Sequence, residues 1–214
     1  MSLKQKYFID SHKGITPLFI IGLIFYYNQW DNFIALIYLA LHGTYGLLWI
    51  AKSRIYPDKQ WENKTSILYG LTIWFGLSLY WISPYILTSG TNFFPILNEP
   101  NYIFYASCII MYIVGVFLHF TSDMQKHIYL KLNPGNLITD LMFAKIRNTN
   151  YLGEFFIYMG FTLLACDWLP LIALLLFICF IWIPNMIRKD KSLSRYPEFE
   201  KYKKQTSRLF PFIY

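Results

Sequence analysis

Six apolar segments, at about residues 15–29, 33–51, 67–89, 102–121, 151–166 and 169–186, run through this chain of 214 residues. A membrane-crossing helix needs about 20 predominantly apolar residues, within a range of about 17–25, and such continuous runs are not the one-sided faces of a soluble fold. The first and fifth segments are short for that range. The positive charges fall on alternate connections only. Lys4, Lys6 and Lys13 precede the first segment; Lys52, Arg54, Lys59 and Lys64 follow the second; Lys126, Lys131, Lys145 and Arg147 follow the fourth; eight more, from Arg188 to Arg208, follow the sixth. These groups hold all 19 Lys and Arg residues. The other connections, "NQWDN", "SGTNFFPILNEPN" and "DWLP", carry only Asp31, Glu99 and Asp167 as charges. Because short cytoplasmic connections concentrate Lys and Arg, both termini are predicted on the cytoplasmic side, and an even number of crossings satisfies that.

Composition agrees with this reading. The chain is 56% hydrophobic and 14% charged, where a soluble domain carries about 25% charged residues. The sequence predicts an all-α polytopic membrane protein, with about six transmembrane helices and interfacial helices, in one integral domain over residues 1–214. The net charge of +7 then marks the face near anionic lipid headgroups and is not a nucleic-acid footprint. No cleavable leader is expected, since "MSLKQKYFIDSHKG" is polar and no small-residue cleavage site follows the first apolar run. Cys108, Cys166 and Cys179 lie in or beside apolar runs, without the spacing of a zinc or disulfide framework. They are expected to be small buried hydrophobes, and no metal is expected.

The inner connections, at about residues 52–66, 122–150 and 187–214, are long, and function is built more often from such segments than from minimal turns. "NPG" at 133–135 reads as a turn with interfacial helices on either side. In the tail, Tyr196, Phe199 and Tyr202 recur at helical spacing among basic residues. That pattern fits an amphipathic tail on anionic lipid, or a basic wall around a phosphate-bearing cofactor. Within the second segment His42, Tyr45 and Trp49 share one helical face leading to Lys52. His119 closes the fourth segment and faces "TSD" at 121–123. A polar side chain inside a span is either functional or satisfied by an interhelical hydrogen bond. "RNTNYLGE" at 147–154 places Glu154 at the entrance to the fifth apolar run. It reads as a helix start capped by Asn150, or as a ligand site at the membrane edge.

These residues carry a resemblance. Asn150, Gly153 and Glu154 in "RNTNYLGE" match the Asn-x-x-Gly-Glu motif of the membrane-embedded steroid 5α-reductase and sterol C14-reductase superfamily. "TSD" resembles the family's Ser-Asp pair, and "RYPEFEKYKKQTSRLFPFIY" is similar to its Tyr-rich, basic carboxyl terminus. The resemblance covers about residues 115–214, read as the cofactor-binding region, and leaves residues 1–114 as divergent spans. It implies a helical membrane enzyme that binds NADPH from the cytoplasmic side and reduces a carbon–carbon double bond in a steroid, sterol or other lipid drawn from the bilayer. The cofactor carries the chemistry and the protein orients it. Asp123, Asn150 and Glu154 match cofactor-proximal positions; Arg147, Tyr151, Arg188, Lys189, Asp190, Arg195, Tyr196 and Tyr202 are the accompanying candidates for holding phosphate and ribose.

The amino-terminal third departs from the steroid enzymes, in which an early-span glutamate and a tyrosine beside a histidine hold the substrate carbonyl. The first two spans contain no glutamate, and Gly43 follows His42 where that tyrosine is expected. His42, Tyr45 from the next turn and Glu62 in "DKQWENK" are the catalytic candidates. "HGTYGLLWIAKSRIYPD" is similar to microbial members with the same carboxyl-terminal domain, and a bacterial inner membrane is expected over the endoplasmic reticulum. The superfamily also contains isoprenylcysteine and phospholipid methyltransferases, which use S-adenosylmethionine and a motif like Arg-His-Pro-x-Tyr-x-Gly. Arg147, Tyr151 and Gly153 fit that motif, but Asn148 and Thr149 replace its His-Pro pair, and Asn150 with Glu154 favours the reductase. The basic tail also suits a phosphate-bearing cofactor better than S-adenosylmethionine, which has no phosphate.

Overall fold

The computed structural model describes residues 2–97 and 100–211. Glu99 and the last three residues of the "LFPFIY" ending lie outside the described residues. The described residues are mostly helical. The chain comprises β1 (Ser2–Lys4), α1 (Gln5–Tyr26), α2 (Phe33–Ile55), β2 (Lys64–Ser66), α3 (Ile67–Leu77), α4 (Ile82–Ser89), α5 (Tyr102–Leu132), α6 (Thr149–Thr162), α7 (Trp168–Phe177), α8 (Ile183–Leu193) and α9 (Phe199–Gln205). A 3-10 turn over Ser78–Trp81 fuses α3 to α4, and a π-helical stretch over Ile178–Trp182 fuses α7 to α8. Among the described residues, five helices are long and apolar enough to cross a membrane: Gln5–Tyr26, Phe33–Ile55, Ile67–Ser89, Tyr102–Leu132 and Trp168–Leu193. This is an all-α polytopic membrane protein. The fifth apolar segment forms the 14-residue α6, about 21 Å long at 1.5 Å per residue, which is shorter than a ~30 Å hydrocarbon core. A 3-10 turn over Leu163–Ala165 extends it.

The helix boundaries follow from local chemistry. Asn32 caps α2 by accepting from the Ala35 amide at 3.1 Å, and Ser66 caps α3 by accepting from the Tyr69 amide at 3.2 Å. Gly90 ends α4 in the left-handed conformation that lacks a steric penalty only for glycine. "NPG" is the expected turn, with Gly135 at φ +87°. Its flanks differ from expectation: α5 runs unbroken to Leu132, and the chain from 136 to 148 is irregular apart from a single turn at Leu141–Phe143. The physical reason is that residues 122–132 contain no Gly or Pro to stop a helix already started in the apolar run.

The residues fall into two compact units, Met1–Tyr112 with Met159–Leu174, and Ile113–Tyr158 with Leu175–Tyr214. In the first unit, β1 and β2 form a short antiparallel pair and α1 packs along α2. A Cβ on Gly46 would lie 2.5 Å from the Lys13 carbonyl oxygen, so only glycine admits this approach. The link 93–96 is tied to 166–168 by main-chain bonds, from Ile96 N to Cys166 O and from Trp168 N to Phe94 O. Asp167 completes that junction. Its carboxylate is fully buried, accepts from the Phe93 and Phe94 amides at 2.7 Å each, and accepts from the Leu169 amide at 2.8 Å. The sequence offered it only as a loop charge; it is a structural clamp and the cap of α7. Asp167→Ala is expected to cost at least about 3 kcal/mol, because hydrogen bonds to a charged group contribute about 1.5–3 kcal/mol each. Asp167→Asn, which keeps one acceptor oxygen, should lose less; thermal unfolding in detergent measures both.

In the second unit, Gly115 and Gly153 bring α5 and α6 into backbone contact. A Cβ on Gly153 would lie 2.4 Å from the His119 nitrogen, and one on Gly115 would lie 2.6 Å from the Ile157 nitrogen. The cysteines only partly follow expectation: all three are free thiols, with Cys108 buried, Cys166 half-buried and Cys179 exposed.

Candidate functional site

The second unit gathers the motif residues around the start of α6. The helix begins at Thr149, so Asn150 lies in its first turn and Glu154, half-buried, one turn later. Neither caps it, which removes the capping explanation for Glu154. Thr149 makes the local bonds instead, its hydroxyl donating to the Met142 and Ile146 carbonyls at 2.5 and 3.0 Å.

Around this start the tail is stitched down. Arg147 N donates to Ser207 O and Ser207 N to Lys145 O, both at 2.9 Å. The Arg147 guanidinium is 4% exposed and forks onto Asp190, with Nε to Oδ1 and Nη2 to Oδ2 each at 3.3 Å. Its Nη1 donates to the carbonyls of Lys203 and Thr206 and to the Thr206 hydroxyl. Asp190 also accepts from Arg208 Nε at 3.1 Å, and Lys189 Nζ donates to the Arg147 carbonyl at 2.8 Å. One carboxylate between two guanidinium groups offsets the burial of the charges. Phe199 and Tyr202 lie buried on α9, and the Tyr202 hydroxyl donates to the Phe143 carbonyl at 2.7 Å. Burial pushes that phenol above its ordinary pKa, which keeps it a neutral donor. The single helical face expected for Tyr196, Phe199 and Tyr202 is interrupted: Tyr196 lies in the turn before α9.

On α5, His119 and Asp123 support the same region. His119 Nδ1 lies 3.1 Å from the Asn150 carbonyl oxygen, so that nitrogen carries the proton, and Nε2 lies 3.8 Å from Asp123. Asp123, 2% exposed, accepts from Lys126 at 3.1 Å. Tyr151 packs its ring near Trp182. Two acceptors are left over: the side-chain oxygens of Asn148 and Asn150 are buried without a hydrogen-bond partner among the described residues. The Asn148 amide nitrogen donates to the Arg208 carbonyl at 2.9 Å, which fixes its flip. Asn148 was visible in the sequence only as a departure from a methyltransferase pattern. Of the other basic candidates, Arg188 and Arg195 are exposed. Arg188 reaches Asn185 at 3.5 Å, and Arg195 folds onto Ser192 and the Tyr196 hydroxyl.

The first unit holds the remaining candidates. His42, Tyr45, Trp49 and Lys52 are all buried on α2, as the shared helical face predicts. His42 stacks on Phe161, with centroids 4.3 Å apart, and its Nδ1 lies 3.0 Å from the Tyr38 hydroxyl. Lys13 Nζ sits 4.2 Å over the Tyr45 ring, and Lys52 pairs with Asp58 at 2.9 Å. Glu62 is not grouped with His42 and Tyr45. It pairs with Lys4 at 2.6 Å and Lys6 at 2.5 Å, beside a cleft also lined by Asp10, Trp49 and Trp61. The hydrogen bonds from Lys4 and Lys6 hold its carboxyl below the ordinary glutamate pKa. A carboxylate held ionised is a poor proton donor near neutral pH. His12 and Lys13, buried on α1, are functional-type residues that periodicity did not single out.

The fold and the tail-clamped motif together define a helical integral membrane protein of the steroid-reductase type. The chain belongs to the family described as 3-oxo-5-alpha-steroid 4-dehydrogenase, which matches residues 69–214, and the family is one of oxidoreductases. No curated protein and no solved structure matches the chain.

Proposed function

We propose that this protein is an NADPH-dependent reductase of a carbon–carbon double bond in a steroid-like or other flat lipid, working from the cytoplasmic edge of a bacterial inner membrane. The observation that carries the reading is the pair of leftover acceptors on Asn148 and Asn150, held at the start of α6 by the His119 bond to the Asn150 carbonyl and by the Arg147–Asp190–Arg208 clamp. Acceptors that lack donors suit a ligand rich in amide and hydroxyl hydrogens, such as a carboxamide or a ribose. Arg147 has its donors committed to the chain, so its part is to hold the tail in place. The phosphates would fall to Arg188 and Arg195, which are exposed, with Glu154 and Tyr151, half-buried on α6, as the accompanying ligand candidates; Lys189 and Tyr202 are bound to the Arg147 and Phe143 carbonyls and support the site. NADPH, when bound, supplies the hydride. In the first unit Tyr45 is assigned the proton to the substrate and His42 the orientation of its polar end, while Glu62 contributes a fixed negative charge.

The test is cofactor binding to purified protein in detergent. NADPH fluorescence should change on binding, with NADPH at least about tenfold tighter than NADH, equivalent to ~1.4 kcal/mol. Glu154→Ala should weaken NADPH binding without lowering the thermal midpoint. Binding of S-adenosylmethionine without NADPH would sink this reading.

A further inference from the structure

The link between α4 and α5 is unlike an aqueous loop. No charged residue stands between Lys64 and Glu99. Phe93 is 46% exposed, Phe94 57% and Leu97 43%, so one short connection presents three large apolar side chains. Soluble surfaces show such residues singly, and a contiguous patch marks a partner surface or a membrane.

The main chain of the link is bound within the protein. The Phe93 and Phe94 amides both donate to one Asp167 oxygen at 2.7 Å, and the Ile96 amide donates to the Cys166 carbonyl at 2.8 Å. Pro95 has no amide hydrogen. From Phe93 to Ile96, every main-chain donor therefore has an acceptor from the protein. The Phe94 carbonyl accepts in turn from the Trp168 amide at 2.9 Å. In water those amides could be hydrated without help. Away from water an unbonded donor is costly, and irregular backbone is kept out of lipid unless its polar groups are bound. A fully buried carboxylate committed to two adjacent amides is what a dehydrated turn needs.

We propose that Phe93–Leu97 is a membrane anchor, seated at the boundary between headgroups and acyl chains on the face away from the basic connections. The same compact unit carries exposed aromatic residues at that face: Tyr26 at the end of α1, Trp30 in the connection after it, Tyr102 at the start of α5 and Trp168 at the start of α7. Such a belt marks a membrane interface. Trp168 is hydrogen-bonded to the link itself, so the anchor continues the belt, and this continuity favours lipid over a second copy of the chain. With no Lys or Arg in the link, its partner is the apolar and glycerol region of a phospholipid, whatever the headgroup charge. The assignment is independent of the reaction catalysed.

The experiment places the photo-crosslinker p-benzoylphenylalanine at position 94, and separately at 93, in the full chain in phosphatidylcholine nanodiscs. The reference position is Asn136, exposed on a basic connection. Irradiation should give phospholipid adducts at least about tenfold more abundant from either phenylalanine position than from Asn136, the partition of one phenylalanine side chain. Replacing part of the lipid by anionic phosphatidylglycerol should leave that yield unchanged. In the unsubstituted chain, the Leu97 methyl resonances should broaden with a doxyl-labelled phospholipid and persist with a water-soluble gadolinium chelate, a readout that needs no variant. Chain-to-chain adducts in place of lipid adducts would give the surface to a second copy and overturn the anchor. So would adducts no more abundant than at Asn136, a yield that follows the anionic fraction, or Leu97 methyls broadened by the chelate and spared by the lipid.

Discussion

Arg147→Ala is expected to destabilise the second unit by about 3–5 kcal/mol, the usual cost of removing one partner from a buried ion pair. The loss has two parts. Asp190 keeps Arg208 at 3.1 Å but loses the fork from Arg147, leaving a buried carboxylate half compensated. The carbonyls of Lys203 and Thr206 lose their donor, so the segment after α9 keeps only its main-chain bonds through Ser207 and the Asn148 bond to the Arg208 carbonyl. Arg147→Lys should recover little, because one ammonium cannot span the two oxygens of Asp190 and the Thr206 carbonyl together. Thermal unfolding in detergent reads the stability, and limited proteolysis reads whether the tail is freed. A variant that unfolds like the unsubstituted chain, with its tail still protected, would show that the clamp contributes nothing.

Gly153→Ala is the second large effect. The new methyl would lie 2.4 Å from the His119 nitrogen, 2.7 Å from its Cα and 2.8 Å from the Gly115 carbonyl oxygen. All three are backbone atoms, so no side-chain rotation relieves the overlap. Overpacking typically costs about 1–3 kcal/mol, and a clash with backbone belongs at or above the upper end. Since His119 holds the Asn150 carbonyl, separating the helices should also weaken NADPH binding. Gly76→Ala is the contrast: nothing lies within 4 Å of a Cβ there, and the helix should gain about 0.5–1 kcal/mol. Melting curves of the two variants side by side check both signs.

Much of the fold was legible because bilayer solvation acts on each segment separately. Runs of apolar residues mark helices whether or not their partners are known, and the α2 face of His42, Tyr45, Trp49 and Lys52 follows from a 3.6-residue period alone. The helix ends were less legible. The separate interfacial helix expected after the fourth apolar segment is instead a continuation of α5, because residues 122–132 contain no Gly or Pro to stop it. Tyr196 was expected on the same helix as Tyr202 and is not, because the chain turns between Ser194 and Glu198. For the candidate site, the sequence offered "RNTNYLGE" and the basic tail, but not which side chains were already committed. Arg147, a phosphate candidate by charge, has its donors bound to a carboxylate 43 residues away. Asn148 stood out only as a departure from a methyltransferase pattern, since a stranded acceptor is defined by what fails to surround it.

By itself the sequence determined that the chain is helical and membrane-embedded, and it placed the motif residues in "RNTNYLGE" and the tail, because composition, period and local motif each act over a few residues. Only the tertiary structure decided that Arg147 clamps the tail, that Asp167 ties a loop, and that His12 lies between two indoles with no hydrogen-bond partner for its ring among the described residues. Those outcomes depend on groups 40 to 75 residues apart in sequence meeting within a few ångströms, and hydrogen bonding and desolvation are set by that meeting rather than by the residue alone.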